Sequence, residues 1–133
     1  MDRRRFLVTC GAATLAAACV RIPYVTGRVD GGKLLIARSE FAEKAGVLVE
    51  HAGFTFPLYV RHVQGDEFTA VLTRCTHRGC TVEPEDDGLV CPCHGSEFAF
   101  DGALRKGPAE QPLTRFAVMA DAETVAIALG GPA

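Results

Sequence analysis

Cysteine and histidine are concentrated in two short stretches of this 133-residue chain. The first box reads C-T-H-R-G-C over residues 75–80, and the second box reads C-P-C-H-G-S over residues 91–96. Together the two boxes hold four of the six cysteines and two of the four histidines. Thiolate sulfur and imidazole nitrogen both bind metals, and two of each from two loops suit an iron–sulfur cluster with imidazoles on one iron. The boxes therefore predict a metal centre of this kind.

A structural zinc site is the alternative use of cysteines and histidines in such numbers. Zinc sites usually take their ligands from pairs spaced C-x₂₋₄-C and H-x₃₋₅-H, and they need no further cysteines nearby. Here each box mixes the two residue types and contains two cysteines. The spacing therefore favours an iron–sulfur cluster over zinc.

Both boxes match the Rieske [2Fe–2S] family without a gap, and the chain resembles the members that have a disulfide between the two cluster loops. The resemblance implies one [2Fe–2S] cluster, with Cys75 and Cys91 on one iron and His77 and His94 on the other. Two ferric ions, two sulfides and two thiolates sum to zero charge, because the imidazoles are neutral. Such centres are therefore easier to reduce, at about −150 to +300 mV against about −400 mV for all-cysteine plant-type ferredoxins.

The same resemblance assigns roles to residues beside the ligands. It implies a disulfide between Cys80 and Cys93, and a hydrogen bond from the Ser96 hydroxyl to a bridging sulfide. Phe98 stands where high-potential members carry a tyrosine whose hydroxyl donates to a cysteine ligand. The resemblance therefore predicts that one hydrogen bond to the cluster is missing here.

Two further positions concern the surface of the centre. Gly107 and Pro108 match the proline-containing loop that covers the cluster in the family. Arg78 occupies a position that is usually leucine in quinol-oxidising members, where this tip docks at the quinol pocket. A guanidinium there would have to lose water or meet an anion. Arg78 is either a solvated loop residue or a contact to a more acidic partner surface.

Short segments of alternating or continuous apolar residues lie on both sides of the boxes, separated by turn signals such as Gly65-Asp66 and Asp87-Gly88. We predict strands near residues 34–37, 47–50, 56–60, 68–72, 81–83, 89–91, 116–119 and 125–129, and one helical turn within 39–45. His51 and His62 fall outside the boxes and are predicted not to be ligands. This pattern indicates an all-β fold, a small antiparallel sandwich with a subdomain of cluster-binding loops, in agreement with the Rieske fold that the resemblance implies.

The N-terminus resembles a twin-arginine export signal, with Arg3 and Arg4 as the pair. An uncharged stretch over residues 6–20 follows, which gives the order of n-region and h-region in a secretion signal. Its 15 residues are fewer than the roughly 20 of a comfortable transmembrane helix. Residues 16–18 read as an A-x-A cleavage site, and Cys19 directly after them is a candidate for lipidation.

The chain is accordingly divided into a signal or anchor segment (1–18), a tether (19–32) and a Rieske [2Fe–2S] domain (33–133) whose cluster loops span about 75–98. Cleavage, lipidation and retention as an anchor all place the domain outside the cytoplasmic membrane or in the periplasm. An oxidising compartment also permits the disulfide.

We predict a one-electron carrier with no catalytic domain of its own. The leading hypothesis is the iron–sulfur subunit of a quinol–cytochrome oxidoreductase-like complex, with quinol, a cytochrome or both as partners. The alternatives are a soluble or lipid-anchored subunit of another exported enzyme, such as an arsenite-oxidase-like complex, and a stand-alone Rieske ferredoxin. The formal net charge of −2 does not indicate nucleic-acid binding, and we expect none. An acidic domain suits a basic partner such as a cytochrome. Further expected partners are the twin-arginine export machinery and the membrane, the latter through the N-terminal segment or a lipid.

Overall fold

The computed structural model describes residues 22–130, which form short strands and one 3₁₀ turn. The all-β fold that the sequence predicts is confirmed. The strands are β1 (Tyr24–Thr26), β2 (Arg28–Asp30), β3 (Lys33–Ala37), β4 (Gly46–Glu50), β5 (Leu58–Gln64), β6 (Glu67–Leu72), β7 (Glu83–Pro84), β8 (Leu89–Val90), β9 (Glu97–Phe98), β10 (Leu104–Lys106), β11 (Arg115–Phe116), β12 (Val118–Ala120) and β13 (Thr124–Ala128), and the 3₁₀ turn spans Arg38–Phe41.

The strands form three sheets. The first sheet has the order β1-β4-β5-β6-β11, the second β10-β9-β8-β7, and the third β12-β13-β3-β2. All pairs are antiparallel except β1 with β4, which are parallel. The second sheet contains the two strands between the boxes, β7 and β8, and the two strands after the second box, β9 and β10. It is therefore the sheet that positions the predicted metal ligands.

The first sheet is covered on both faces, which explains its continuous apolar runs. In β4, Val47 and Val49 belong to the core shared with the third sheet, whereas Leu48 belongs to the core shared with the second. In β5, Val60 belongs to the core shared with the third sheet and Tyr59 to the core shared with the second. A strand buried on both faces needs apolar residues at consecutive positions. The second sheet is thus attached to the outer face of a small sandwich.

Two segments of the predicted tether, residues 19–32, are strands in the structure. Residues Tyr24–Thr26 pair with β4, and Arg28–Asp30 pair with β3, so both segments are edge strands of the sandwich. Gly27 between them lies against Leu34, and a Cβ at this position would be 2.4 Å from the Leu34 Cδ1 atom. Pro23 and the glycines suggest loose chain, but backbone pairing places residues 24–26 and 28–30 in the sheets.

Two boundaries also differ from the prediction. The strands beside the boxes are two residues each, Glu83–Pro84 and Leu89–Val90. Thr81 forms only an isolated bridge with Arg74, and Cys91 lies in the loop of the second box. The subdomain also continues past residue 98 to β10. Among residues 22–130, no helix is long and apolar enough to cross a membrane. The predictions for Arg3, Arg4, Cys19 and the segment 1–18 concern residues outside this described range.

Candidate metal centre

Each box forms a loop, and the two loops have the same pattern of backbone hydrogen bonds. In the first, the Cys75 N–H donates to the Cys80 carbonyl at 2.7 Å, and the Gly79 N–H donates to the Cys75 carbonyl at 2.9 Å. In the second, Cys91 and Ser96 make the first of these bonds at 2.8 Å, and Gly95 and Cys91 make the second at 2.9 Å. The open end of the β7–β8 hairpin brings the two loops together, since the first box precedes β7 and the second follows β8.

A glycine at the fifth position of each box makes this loop possible. Gly79 has φ +77° and Gly95 has φ +79°, and side chains other than glycine rarely adopt such values. These two glycines are not among the site residues predicted from the sequence. Their equal position relative to the first cysteine of each box is the signal that could have identified them.

The four box cysteines separate into a bonded pair and a free pair. Cys80 and Cys93 form a disulfide with a Cα–Cα distance of 6.5 Å, which confirms the pairing that the resemblance implies. Cys75 and Cys91 are free and buried, with 2% and 1% exposure. The sulfur atoms of Cys80, Cys91 and Cys93 lie within 4.8 Å of one another, but the disulfide removes two of them as ligands. Cys75 and Cys91 therefore remain as the thiols available to a metal.

The surroundings of Cys91 suit a thiolate that is neutralised by a cation. Burial raises the pKa of the Cys91 thiol, although the backbone N–H groups of Cys93 and His94 donate to its sulfur and oppose that shift. A hydrogen bond with the Cys75 thiol raises the pKa further. A buried thiolate here requires positive charge close by, and a bound metal ion provides it.

The two box histidines approach each other at the surface. Their ring centroids are 4.9 Å apart and the rings are almost perpendicular, at 89°. His94 is exposed and His77 is half-buried. The Nδ1 atom of His77 is buried and has no hydrogen-bond partner. Because a buried imidazole nitrogen normally has a partner, this unpaired atom fits a metal ligand.

The loop after β10 is fastened from both boxes. We define residues 107–113 as the cover loop. The Ala109 N–H donates to the buried Ser96 Oγ at 3.0 Å, and the Thr76 hydroxyl donates to the Gln111 carbonyl at 2.7 Å. Gly107 and Pro108 are exposed at the start of this loop. Since Ser96 Oγ accepts from the cover loop, its own hydroxyl hydrogen remains available for a second acceptor. Thr76 was not identified from the sequence, because a contact with residue 111 leaves no local pattern.

Phe98 lies in the core that contains the free cysteines. It is fully buried in the same apolar cluster as Cys75 and Cys91. The structure thus places an aromatic ring without a hydroxyl in this core. Arg78 is exposed at the tip of the first box. His51 and His62 lie elsewhere: the His51 ring packs on Phe54, and the His62 ring stacks on Phe68.

Together these residues fit a cluster with two thiolate and two imidazole ligands. Two buried free thiols, two neighbouring imidazoles and an unpaired His77 Nδ1 converge at the open end of one hairpin. The disulfide joins the two loops, and the cover loop is bonded to both. A structural zinc site requires neither the disulfide nor the cover loop.

Comparison with protein families identifies the same region. Residues 28–117 match the model of the Rieske [2Fe-2S] domain. The cytochrome b6-f complex iron-sulfur subunit 3 of Nostoc sp. is 30% identical over 111 residues, which cover 82% of this chain and 61% of that protein. The corresponding subunit of Gloeobacter violaceus is 57% identical over 42 residues, covering 29% of this chain and 22% of that protein. The chain thus matches less than two thirds of the length of these relatives.

Two solved structures have similar folds. The plasma membrane Rieske protein PetC3 of the cyanobacterium Synechocystis has a TM-score of 0.59 at 29% identity, covering 68% of this chain and 93% of that one. A chain in the complex of reduced oxygenase and oxidized ferredoxin in carbazole 1,9a-dioxygenase has a TM-score of 0.61 at 28% identity. That match covers 78% of this chain and 99% of the other.

Proposed function

This chain belongs to the Rieske [2Fe–2S] domain family, and from that premise we propose that it is the electron-transfer subunit of an exported, membrane-associated redox complex. The family assignment means that the domain binds one [2Fe–2S] cluster and transfers single electrons. The observation that carries the finer proposal is the Cys80–Cys93 disulfide between the two boxes, because disulfides persist in oxidising compartments outside the cytoplasm.

The ligands follow from the geometry of the boxes. We propose that Cys75 and Cys91 bind the inner iron and that His77 and His94 bind the outer one. The thiols are buried whereas the His94 ring is exposed, so the imidazole side faces a partner. The bound cluster supplies reversible one-electron chemistry at a potential that its histidine ligands raise.

The residues around the ligands fix the two box loops and the cover loop in place. The disulfide joins the two loops, and the Thr76 and Ser96 hydroxyls hold the cover loop across them. Backbone N–H groups of Cys93 and His94 donate to the Cys91 sulfur and stabilise negative charge on it. Fixed donors of this kind need little rearrangement when the charge of the centre changes by one.

The proposed partners are a quinol and a cytochrome, on the outer face of the bacterial cytoplasmic membrane. The support is the similarity to cytochrome b6-f iron-sulfur subunits and to a plasma membrane Rieske protein. The export-like sequence around Arg3 and Arg4 agrees with this location, and Cys19 or the segment 1–18 would supply the attachment.

A stand-alone Rieske ferredoxin is the second candidate. It is supported by the similarity to a chain of the oxygenase–ferredoxin complex, 99% of which this chain covers. The disulfide and the export-like N-terminus favour the membrane complex, because a cytosolic ferredoxin would be kept in a reducing environment.

Fractionation of the native host tests the two candidates. Membranes and soluble fractions are separated, and the protein is followed with an antibody and by its EPR signal after reduction. We expect it in the membrane fraction, and mild detergent should extract it together with a haem protein. Recovery from the cytosolic fraction, free of any haem protein, would overturn the complex and favour the ferredoxin.

A further inference from the structure

Two arginines flank the metal ligands of the first box. Arg74 directly precedes the box, Arg78 lies at its tip, and both are exposed. The Arg74 Nε atom lies 3.2 Å from the position that a Cβ on Gly79 would take. The Arg74 side chain therefore lies against Gly79, the residue that follows Arg78, so both arginines belong to the region around the loop that carries His77.

Neither guanidinium is neutralised by a neighbour. Five other cations in residues 22–130 lie within 4.0 Å of a carboxylate, but these two do not. In the second sheet, Arg105 pairs with Asp87 and Lys106 pairs with Glu97. The cover loop carries one carboxylate, Glu110. Arg74 and Arg78 thus present two exposed positive charges that no carboxylate of residues 22–130 pairs with.

The opposite end of the hairpin is acidic. The boxes lie at the open end of the β7–β8 hairpin, and its turn lies at the other end. Exposed carboxylates surround that turn: Glu83, Glu85, Asp86 and Asp87. Residues 22–130 hold ten lysines and arginines against fifteen aspartates and glutamates, a formal charge of −5. The positive end is therefore a local reversal of sign on an acidic domain.

The proposed ligands differ in their access to solvent at this positive end. Cys75 and Cys91 are buried, whereas His94 is exposed, so a partner must approach the imidazole side. We propose, on the basis of the electron-transfer function above, that Arg74 and Arg78 form a cationic docking surface around the imidazoles. The redox partner presents an acidic surface there. The net charge of the chain alone predicts the opposite, a basic partner.

Small charged oxidants test this proposal with the cluster-containing protein. The reduced protein is mixed with ferricyanide, an anion, or with a tris(phenanthroline) cobalt(III) complex, a cation, and oxidation is followed by stopped-flow absorbance. In about 10 mM salt, Arg74→Gln and Arg78→Gln should each slow oxidation by ferricyanide about three- to fivefold and accelerate oxidation by the cobalt complex. Near 1 M salt, where the Debye length is about 3 Å, the variants should match the wild type.

Lys44→Gln is the matched control. It removes one exposed positive charge beside a cavity that Glu85 and Asp86 also line, at the turn end of the hairpin. It should change neither rate appreciably. Midpoint potentials are measured for every variant, so that a change in driving force is separated from a change in approach.

Two outcomes would count against the account, and they differ. If the arginine variants react like Lys44→Gln at every salt concentration while remaining redox-active, the docking surface is wrong and electron transfer stands. If the wild-type protein shows no reversible one-electron reduction, the proposed function itself fails.

Discussion

At the scale of single residues, we expect only two of the four histidines, His77 and His94, to bind the cluster. His77→Ala or His94→Ala should abolish the cluster, because each removes a proposed ligand from one iron. His51→Ala and His62→Ala are matched controls, since their rings pack on Phe54 and Phe68 away from the boxes. Iron content and the visible spectrum of purified variants give the measurement. A full cluster in either box variant, or cluster loss in either control, would refute the ligand assignment.

Phe98 offers a second expectation at this scale. Its ring is fully buried in the core that contains Cys75 and Cys91. A hydroxyl that favours the reduced cluster by about 1 kcal/mol raises a one-electron potential by roughly 40 mV. Phe98→Tyr should therefore raise the midpoint potential by some tens of millivolts, measured by EPR-monitored titration. Phe100→Tyr, on the half-buried ring beneath Arg61, is the control and should leave the potential unchanged. A lower potential in Phe98→Tyr with an intact cluster would show that the hydroxyl does not reach the ligand.

At the scale of elements, the cover loop depends on a hydroxyl from each box. Thr76→Val removes the bond to the Gln111 carbonyl, so the cluster should be lost to an iron chelator several-fold faster. Thr73→Val is the matched control, because it removes a bond of nearly equal length, 2.8 Å, to the Pro57 carbonyl, which is not part of the cover loop. The control should lower the melting temperature without accelerating chelation in the folded state. Thr76→Ser should restore the slow rate. Equal chelation rates in both valine variants would mean that the Thr76 bond does not close the loop.

The disulfide is the second device at this scale. Cys80 and Cys93 are 13 positions apart in the chain, and closing such a loop contributes about 3 kcal/mol in a loop-entropy treatment. Cys80→Ser and Cys93→Ser should therefore lower both thermal stability and cluster occupancy. Adding a reductant to the wild type should produce the same change, and adding it to the variants should produce none. Unchanged melting curves in both variants under oxidising conditions would mean that the bridge contributes nothing.

Elements also show how far the sequence carries the prediction. Strands with apolar runs, such as Lys33–Ala37 and Thr124–Ala128, are predicted from the sequence, because the apolar residues within each segment are enough to indicate a buried strand. The edge strands Tyr24–Thr26 and Arg28–Asp30 were not, because their pairing depends on distant partners in β4 and β3. The box residues were identified by type and spacing, whereas the Thr76–Gln111 bond spans 35 positions and has no sequence signal.

At the scale of the whole molecule, the centre sits at one end of a three-sheet domain. The sandwich of the first and third sheets holds the second sheet on its outer face, and the second sheet presents both boxes at the open end of one hairpin. Cys75 and Cys91 are buried and His94 is exposed, so the proposed function has a partner approach from the imidazole side. The proposed thiol ligands are thus enclosed by the fold, whereas the proposed ligand His94 lies at the surface.

The proposed centre is a [2Fe–2S] cluster with two thiolate and two imidazole ligands. Metal and sulfide analysis of the purified protein, combined with EPR after reduction, tests it most directly. We predict two irons and two acid-labile sulfides per chain and a Rieske-type EPR signal. Stoichiometric zinc without an EPR signal would contradict the account.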